Sequence, residues 1–219
     1  MPASKIPFQI DGQLRQYIES RYSPIARDDQ EKFIEALVGL TELGGDRKQT
    51  MRSFFEQVTR LIFRFFAFNE IVMGLYDRKR KDWYVESVFG FRSEIAAEYK
   101  RLRYSREEMV GQDRFPYISI GRTSAFGPVE GLPESERKLF SRPYAAGVSR
   151  KDLDEFHEGD YIDVLMYDPH KNVVGWIELS APRGGKLPSR MTVMWIEVIA
   201  SVCASAVRYR WSLEDQSEG

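Results

Sequence analysis

The sequence has few of the side chains that bind metals or perform redox chemistry. Its 219 residues include one cysteine, Cys203, and two histidines, His157 and His170. A single cysteine cannot form an internal disulfide framework or a cysteine-based zinc cluster, and neither histidine has a second ligand at a metal-site spacing. We therefore predict no metal site, and we expect Cys203 to pack as a small apolar side chain in a helix.

The sequence also lacks an excess of charge and an apolar leader. Its 32 Lys and Arg residues balance 33 Asp and Glu residues, so no basic field is available to attract nucleic acid or an anionic membrane. The N-terminal residues lack the apolar core of a signal peptide. The most apolar segment, residues 191–207, carries Glu197 at its middle, whereas a spanning helix needs roughly 20 apolar residues. We predict no nucleic-acid partner, no membrane association and a cytoplasmic location.

Common catalytic signatures are missing as well. No Walker A, GxGxxG, GxSxG or HExxH pattern occurs, so the usual nucleotide-binding and hydrolase motifs are absent. The densest basic run, residues 78–81, lies in a predicted hairpin turn, where charge keeps strand edges from associating. DNA binding through this run is the alternative interpretation. We predict no catalytic residues and a protein that is not an enzyme.

Strong helical periodicity is present in three places. Residues 29–43 carry a narrow apolar stripe, residues from Asp46 onward carry a phenylalanine-rich face, and Ser189 is placed to cap a long third helix. We divide the chain into an N-terminal arm and helix at residues 1–45 (a linker or dimerisation element), a domain at residues 46–212 and a polar tail at residues 213–219.

Two predicted β-hairpins lie between the second and third helices. Residues 70–76 and 83–89 form the first, and residues 161–168 and 173–181 form the second. A short helix is predicted at residues 93–103 and a strand at residues 117–120, while the segment from there to residue 160 is predicted to be mainly loop. Strands flanked by terminal helices indicate an α+β fold with a central antiparallel β-sheet.

Two stretches carry a family resemblance. FFEQVTRLIFRFFAFNEIVMGLYD near the start of the domain, and VLMYDPHKNVVGWIELSAP with its C-terminal helix, resemble the two ends of a GAF domain over residues 46–210. The resemblance implies a regulatory domain whose terminal helices pack on one sheet face, with a ligand pocket on the other (GAF/PAS-like). It also implies a homodimer through the terminal helices and fusion to a histidine kinase or a transcription regulator. Enzymes on this fold, the free methionine sulfoxide reductases, need several cysteines.

The second hairpin places the expected pocket on particular side chains. If Asp168 and Val173 close the turn, one face of the hairpin is uniformly apolar and should meet the helices. The other face mixes aromatic side chains with two carboxylates. Its predicted cross-strand pairs are Tyr167–Val174, Leu165–Trp176, Asp163–Glu178 and Tyr161–Ser180. The predicted ligand-binding residues are Asp163, Leu165, Tyr167, Trp176, Glu178 and Tyr161.

Asp163 opposite Glu178 is the most unusual of these pairs. Like charges directly across a hairpin destabilise it by about 0.2–1 kcal/mol, and by more when they are desolvated. A bridging arginine of this chain, a proton shared by the pair or a cationic ligand would each relieve the repulsion, and the sequence leaves all three open.

These features favour a non-enzymatic regulatory or sensory domain. It would bind a small molecule in a pocket on the sheet and signal through its terminal helices as a homodimer within a signal-transduction protein. The alternative is a ligand-free GAF-fold scaffold for dimerisation and protein interaction, with its own side chains filling the pocket. The sequence identifies neither the ligand nor a cofactor.

Overall fold

The structure is a computed structural model that describes residues 29–110, 117–131 and 150–218. The helices are α1 (Asp29–Gly45), α2 (Met51–Phe66), α3 (Ser93–Tyr99), α4 (Arg106–Val110) and α5 (Arg190–Glu218). The strands are β1 (Phe68–Asp77), β2 (Asp82–Phe89), β3 (Arg103–Tyr104), β4 (Ile118–Ser119), β5 (Ser124–Gly127), β6 (Tyr161–Tyr167) and β7 (Val173–Pro182), and a 3₁₀ turn (Val129–Gly131) comes after β5. The predicted N-terminal arm at residues 1–28 lies outside the described residues.

The seven strands form one antiparallel sheet in the order β3-β2-β1-β7-β6-β5-β4. Both predicted hairpins are present, and β1 lies beside β7, so the two hairpins meet at the centre of the sheet. The predicted α+β fold with a central antiparallel sheet is therefore confirmed. This central pairing joins segments about a hundred residues apart in sequence, so the core depends on long-range contacts between the two hairpins.

Helix α2 packs its phenylalanine-rich face against one side of the sheet, here called the inner face. Thr50 caps this helix by accepting a hydrogen bond from the Ser53 backbone N–H at 3.1 Å, so the helix begins at Met51 rather than at Asp46. The helix ends at Ala67, whose φ of 57° is left-handed. The buried side chains of α2 are Phe54, Phe55, Val58, Thr59, Leu61 and Ile62.

Helices α1 and α5 run parallel to each other on the same side of the molecule. Phe33 contacts Trp195 near the start of both helices, with ring centroids 4.9 Å apart, and Gly44 lies against Ala206 further along. Ser189 caps α5 as predicted, because its hydroxyl accepts a hydrogen bond from the Thr192 N–H. Helix α5 continues to Glu218, so residues 213–218, which we predicted to be a polar tail, are helical.

The inner core lies between the sheet and these three helices. It contains the alternate side chains of the central strands that point away from the carboxylate pair, which confirms the predicted apolar face. Full burial of each such side chain contributes about 1.5–3 kcal/mol. The strand residues in this core are Ile71, Met73, Leu75, Ile162, Val164, Met166, Val174, Ile177 and Leu179.

By length and composition alone, Arg190–Ser217 within α5 is apolar enough to cross a membrane, and it is the one such helix in the described part of the chain. Core helices of soluble proteins meet the same criterion, and 44% of its apolar window is buried in the domain. The mid-helix Glu197 faces β5, where its Oε1 accepts hydrogen bonds from the Thr123 N–H and the Ser124 hydroxyl, both at 2.8 Å.

Strand β5 was missed by the sequence prediction, which treated its residues as loop. The strand has only four residues, SAFG, and one of them is a glycine, so no period-2 apolar pattern marks it. Its pairing with β6, in which Ala125 lies opposite Asp163, forms the strand. Helix α3 also ends at Tyr99, earlier than predicted, and the short strand β3 comes after it.

Candidate functional site

The candidate site lies on the sheet face opposite α2 and α5, here called the outer face. The pairing of β6 with β7 confirms Asp163 opposite Glu178 and Leu165 opposite Trp176. These four predicted site residues therefore share one face of two adjacent central strands. Their placement results from the strand period of two, which puts every second residue on the same side.

The predicted register was wrong next to the turn. An irregularity between Met166 and Tyr167 pairs Tyr167 with Val173 instead of Val174. Val173 consequently packs on the outer face, whereas Val174 joins the inner core. A bulge adds one residue to one strand and reverses the facing of the residues beyond it, and no turn signal in the sequence marked it. Tyr167 is 37% exposed.

Tyr161, the last predicted site residue, lies at the other end of β6. It pairs with Gly127 of β5, and its ring covers that glycine so closely that an added Cβ would lie 2.1 Å from the ring Cζ. Its predicted partner Ser180 lies opposite Glu70 of β1 and donates a hydrogen bond to the Glu70 carboxylate at 3.3 Å.

Trp176 forms an aromatic wall beside the carboxylate pair. It is 3% exposed, and its indole lies over Gly74, where an added Cβ would be 1.9 Å from the ring. The Tyr104 ring meets the indole edge to face, with centroids 5.6 Å apart and planes at 88°. The other buried members of this outer core are Val72, Trp83, Val85, Tyr99 and Val173.

One oxygen of the Asp163 carboxyl group is buried away from solvent. The residue as a whole keeps some exposed surface, but its Oδ1 exposes less than 1 Å² and has no hydrogen-bond partner among the residues that the structure describes. Burial, reinforced by the negative charge of Glu178, raises the pKa of Asp163 well above its ordinary value.

Glu178 has one direct partner, the hydroxyl of Tyr99, which donates a hydrogen bond to its Oε1 at 2.9 Å. Burial raises the pKa of Glu178 to about 7, although this hydrogen bond acts in the opposite direction, and nearby Glu70 adds to the rise. Burial and the Glu178 charge also raise the pKa of Tyr99. Among the described residues, no lysine or arginine forms an ion pair with Asp163 or Glu178, so the arginine bridge, one of the three alternatives that the sequence left open, is not found there.

Tyr99, Tyr104 and Glu70 are site residues that sequence reasoning did not assign. Tyr99 lies on α3, and nothing local in the sequence indicated that its hydroxyl reaches β7. Glu70 and Glu178 both lie on the outer face, on adjacent strands, because β1 pairs with β7. This neighbourhood depends on long-range pairing, for which the sequence has no local signal.

A second polar cluster lies on the loop between β5 and β6. The Asp160 side chain is fully buried and accepts hydrogen bonds from the Val129 and His157 backbone N–H groups. Arg150 pairs with Asp160 at 2.7 Å and with Glu130 at 2.8 Å. These contacts satisfy the Asp160 carboxylate, so the cluster holds the loop and is structural.

The basic turn of the first hairpin makes side-chain contacts to α5 that the sequence did not indicate. Arg78 donates hydrogen bonds to both carboxylate oxygens of Asp215, at 2.8 and 2.9 Å, and to Glu214 at 2.9 Å. Its guanidinium also lies 5.2 Å from the centroid of the Trp211 ring. The hairpin tip is thereby attached to the C-terminal end of α5.

Cys203 lies in the inner core, on the opposite side of the sheet from the carboxylate pair, and it is fully buried as predicted. Burial raises the pKa of its thiol, so the thiol stays protonated at neutral pH. In the described ranges, no group of three or more His, Cys, Asp or Glu side chains is arranged to hold a metal ion.

Comparison with solved structures identifies the fold. No protein-family sequence model matches the chain, and no curated protein matches it in sequence. The chain is similar in structure to the GAF domain of a putative sensor histidine kinase from Pseudomonas syringae pv. tomato, with a TM-score of 0.54 and 10% identity over 93% of this chain and 98% of that one. It is also similar to the GAF domain/HD domain protein from Geobacter sulfurreducens, with a TM-score of 0.51 and 15% identity over 80% and 97% of the two chains.

A third similar structure is an enzyme, free methionine-R-sulfoxide reductase from Neisseria meningitidis in complex with its substrate. Its TM-score is 0.51, with 10% identity over 86% of this chain and 96% of that one. Most of the similar structures are GAF domains, so the chain has the GAF-domain fold that its sequence resembled. At these identities the comparison establishes the fold alone, and function has to be argued from the site.

Proposed function

We propose that this chain is a non-enzymatic sensory domain of a cytoplasmic signal-transduction protein, which binds a small molecule at the outer face of the sheet and signals through its terminal helices. One observation carries the proposal: Asp163 and Glu178 are buried side by side without a described positive partner. Such a pair destabilises the folded protein, and perturbed titratable groups of this kind are concentrated at functional sites.

A route from this face to α5 supports the signalling part of the proposal. Trp83 of the outer core stacks on Tyr76, with centroids 4.6 Å apart, and Tyr76 meets Trp211 of α5 at 6.5 Å. Arg78 ties the same hairpin to Asp215. A ligand that shifts the outer core therefore has direct contacts through which it can bias the end of α5.

An exposed apolar stripe on α5 supports a homodimer through the terminal helices. Met191, Met194 and Val198 are 59%, 47% and 41% exposed and are separated by steps of three and four residues, which is the spacing of a helix–helix seam. Ile34 and Val38 on α1, which packs beside α5, are also more than half exposed. The occupant that we propose for this surface is the same surface of a second copy of the chain.

The single cysteine supports a non-enzymatic role. Cys203 is buried in the inner core and the sequence has no second cysteine, so no disulfide can form and resolve within the chain. The chain therefore cannot perform a reductase reaction that requires a pair of cysteines within it.

Mass spectrometry of the gently purified chain tests ligand binding, by comparing spectra taken under native and under denaturing conditions. We expect a stoichiometric non-covalent adduct that is lost in Leu165→Trp, which fills the outer face beside Trp176, and is retained in Glu94→Gln, an exposed carboxylate on α3. If the spectrum shows the bare chain, thermal-shift screening is the next step, because a ligand at about 100 times its Kd adds about 2.7 kcal/mol. No adduct and no stabilising compound would favour the ligand-free scaffold, in which Trp176 itself fills the face.

Sedimentation of the full chain tests the dimer. We expect Val198→Glu to convert the dimer to a monomer, because it places a charge in the apolar stripe. Leu153→Glu is the matched control, since Leu153 is 94% exposed and belongs to the loop before β6 rather than to α1 or α5. A monomeric wild type, or a Val198→Glu variant that stays dimeric, would contradict the proposed interface.

A further inference from the structure

The Asp163–Glu178 pair differs from three other carboxylate pairs of the described chain, each of which is bridged by an arginine. Asp77 and Asp82 share Arg103, with all three contacts at 2.7–2.8 Å. Glu130 and Asp160 share Arg150, and Glu214 and Asp215 share Arg78. In these three places the fold neutralises a carboxylate pair with a single guanidinium, and at Asp163 and Glu178 no described guanidinium does so.

The residues that flank the pair across the sheet are apolar, and one carboxylate oxygen of the pair has no described hydrogen-bond partner. Glu178 lies opposite Val72 on β1, and Asp163 lies opposite Ala125 on β5, so neither flanking strand supplies a counter-charge at these positions. Asp163 Oδ1 is buried without a described hydrogen-bond donor. A buried acceptor without a donor destabilises a protein until a donor reaches it.

Trp176 lies next to Glu178 on the same face of β7, so its largely buried indole is a neighbour of the carboxylates. An indole is the strongest aromatic partner for a cation, and Tyr104 supports its orientation by edge-to-face contact. Opposed side chains of an antiparallel pair have Cβ atoms about 4.5–5.5 Å apart, so one planar nitrogen cation can donate to both carboxylates.

We propose that the outer face binds a small organic cation, an amidinium, guanidinium or ammonium compound with an apolar body, whose charged group takes the place of the missing arginine between Asp163 and Glu178. This inference rests on the proposed ligand-binding function and specifies the chemical class of its ligand. The cation donates to Asp163 Oδ1 and to Glu178, and its apolar body lies toward Trp176 and Leu165.

The test compares two probes that differ chiefly in charge, benzamidine and benzamide. Binding is monitored through the indole N–H signals of the four tryptophans in proton–nitrogen NMR spectra of the full chain, assigned with Trp→Phe variants. Trp176 reports on the site, and Trp195, which packs against Phe33 on the helix side, is an internal control. We expect benzamidine to shift the Trp176 signal saturably, and benzamide to bind at least about tenfold more weakly, a difference of about 1.4 kcal/mol.

Two variants show whether the carboxylates cause the preference. Asp163→Asn and Glu178→Gln keep the side-chain shape but remove one charge each, and both should remove the preference for benzamidine. Glu94→Gln should retain it, because this carboxylate is exposed on α3. Circular dichroism confirms that each variant is folded before the titration.

The possible failures are distinguishable. If both probes shift Trp176 equally, the outer face binds ligands but is not selective for cations, which overturns this inference and leaves the proposed function in place. If neither probe shifts Trp176, the cation proposal is overturned, and adduct mass spectrometry, which does not depend on ligand charge, decides the sensory function separately. If benzamidine binds with the same preference to Asp163→Asn, the cation lies elsewhere and the assignment of the site is wrong.

Discussion

The indole of Trp176 lies directly over Gly74 on the neighbouring strand, where an added Cβ would be 1.9 Å from the ring. The glycine therefore acts by providing space for the ring. The pairing lets the largest aromatic side chain of β7 lie flat on the outer face, beside the carboxylate pair. The absence of a side chain at Gly74 on β1 therefore sets the position of Trp176 in the candidate site on β7.

Gly74→Ala should destabilise the protein by about 1–3 kcal/mol, because the rigid indole must move to admit the methyl group. Urea unfolding measures the change. In a Trp176→Ala background, itself expected to cost about 3–5 kcal/mol, the same substitution should cost much less, since the clashing ring is gone. Gly184→Ala, with nothing within 4 Å of its added Cβ, is the control. Equal costs of Gly74→Ala in both backgrounds would contradict the direct contact.

Glu178 should make the protein less stable as pH rises from about 4.5 to about 7. Its pKa is 4.5 in an ordinary setting and about 7 in the folded protein, so between these values the folded state binds more protons than the unfolded state. The free energy of unfolding therefore falls through this window and levels off above pH 7. The difference corresponds to about 3 kcal/mol.

Urea unfolding of wild type and Glu178→Gln across this pH range measures the effect. In Glu178→Gln the free energy of unfolding should fall much less between pH 4.5 and pH 7, whereas Glu94→Gln should show the same fall as the wild type. Within the described ranges, the titratable groups that face Glu178 are Tyr99 from α3, Asp163 from β6 and Glu70 from β1, and none of these three supplies a positive charge. Parallel curves for wild type and Glu178→Gln would show that this carboxyl group has its ordinary pKa in the fold.

Asp163→Asn should stabilise the ligand-free protein by about 1–2 kcal/mol at pH 8. The substitution removes one of two adjacent buried charges and supplies an amide that can donate a hydrogen bond to Glu178. Chemical unfolding with and without the bound adduct provides the measurement. A loss of stability in the ligand-free variant would mean that Asp163 has a positively charged partner within the chain.

Arg150→Met should cost about 3–5 kcal/mol, because it leaves the fully buried Asp160 carboxylate without its cation. Thermal or urea unfolding measures the cost, and a second variant, Glu130→Gln, tests the more exposed ion pair of Arg150 with Glu130. The Glu130 side chain is 53% exposed. Its replacement by glutamine should therefore cost less than about 1 kcal/mol. Similar costs for both would show that the buried pair contributes little.

Arg78→Ala should loosen the end of α5 without unfolding the domain. Glu214 and Asp215 lie in the last turns of the helix, where negative charge opposes the helix dipole, and Arg78 neutralises them from the hairpin. Amide hydrogen exchange of residues 211–218 should accelerate by up to about fivefold, since such an exposed pair contributes at most about 1 kcal/mol. Arg80→Ala, an exposed neighbour in the same turn, should leave exchange unchanged.

The sequence by itself determined the local elements of this protein. The 3.6-residue period of α2 and α5 and the two-residue alternation of both hairpins are local properties, and they were sufficient for the α+β fold. The opposition of Asp163 and Glu178 was predictable for the same reason, because the register of a hairpin depends on its own short turn. The bulge beside Tyr167 was the one local feature of that hairpin which the pattern did not contain.

Tertiary structure decided which side chains reach the carboxylate pair and which do not. The hydroxyl of Tyr99 meets Glu178, Arg150 meets Asp160, and Arg78 meets Asp215, all through contacts that the sequence pattern does not encode. Strand β5 exists only because β6 is available to pair with it. Each of these features depends on the packing of separate segments, whose energy comes from burial of the whole core and is not contained in any one stretch of the chain.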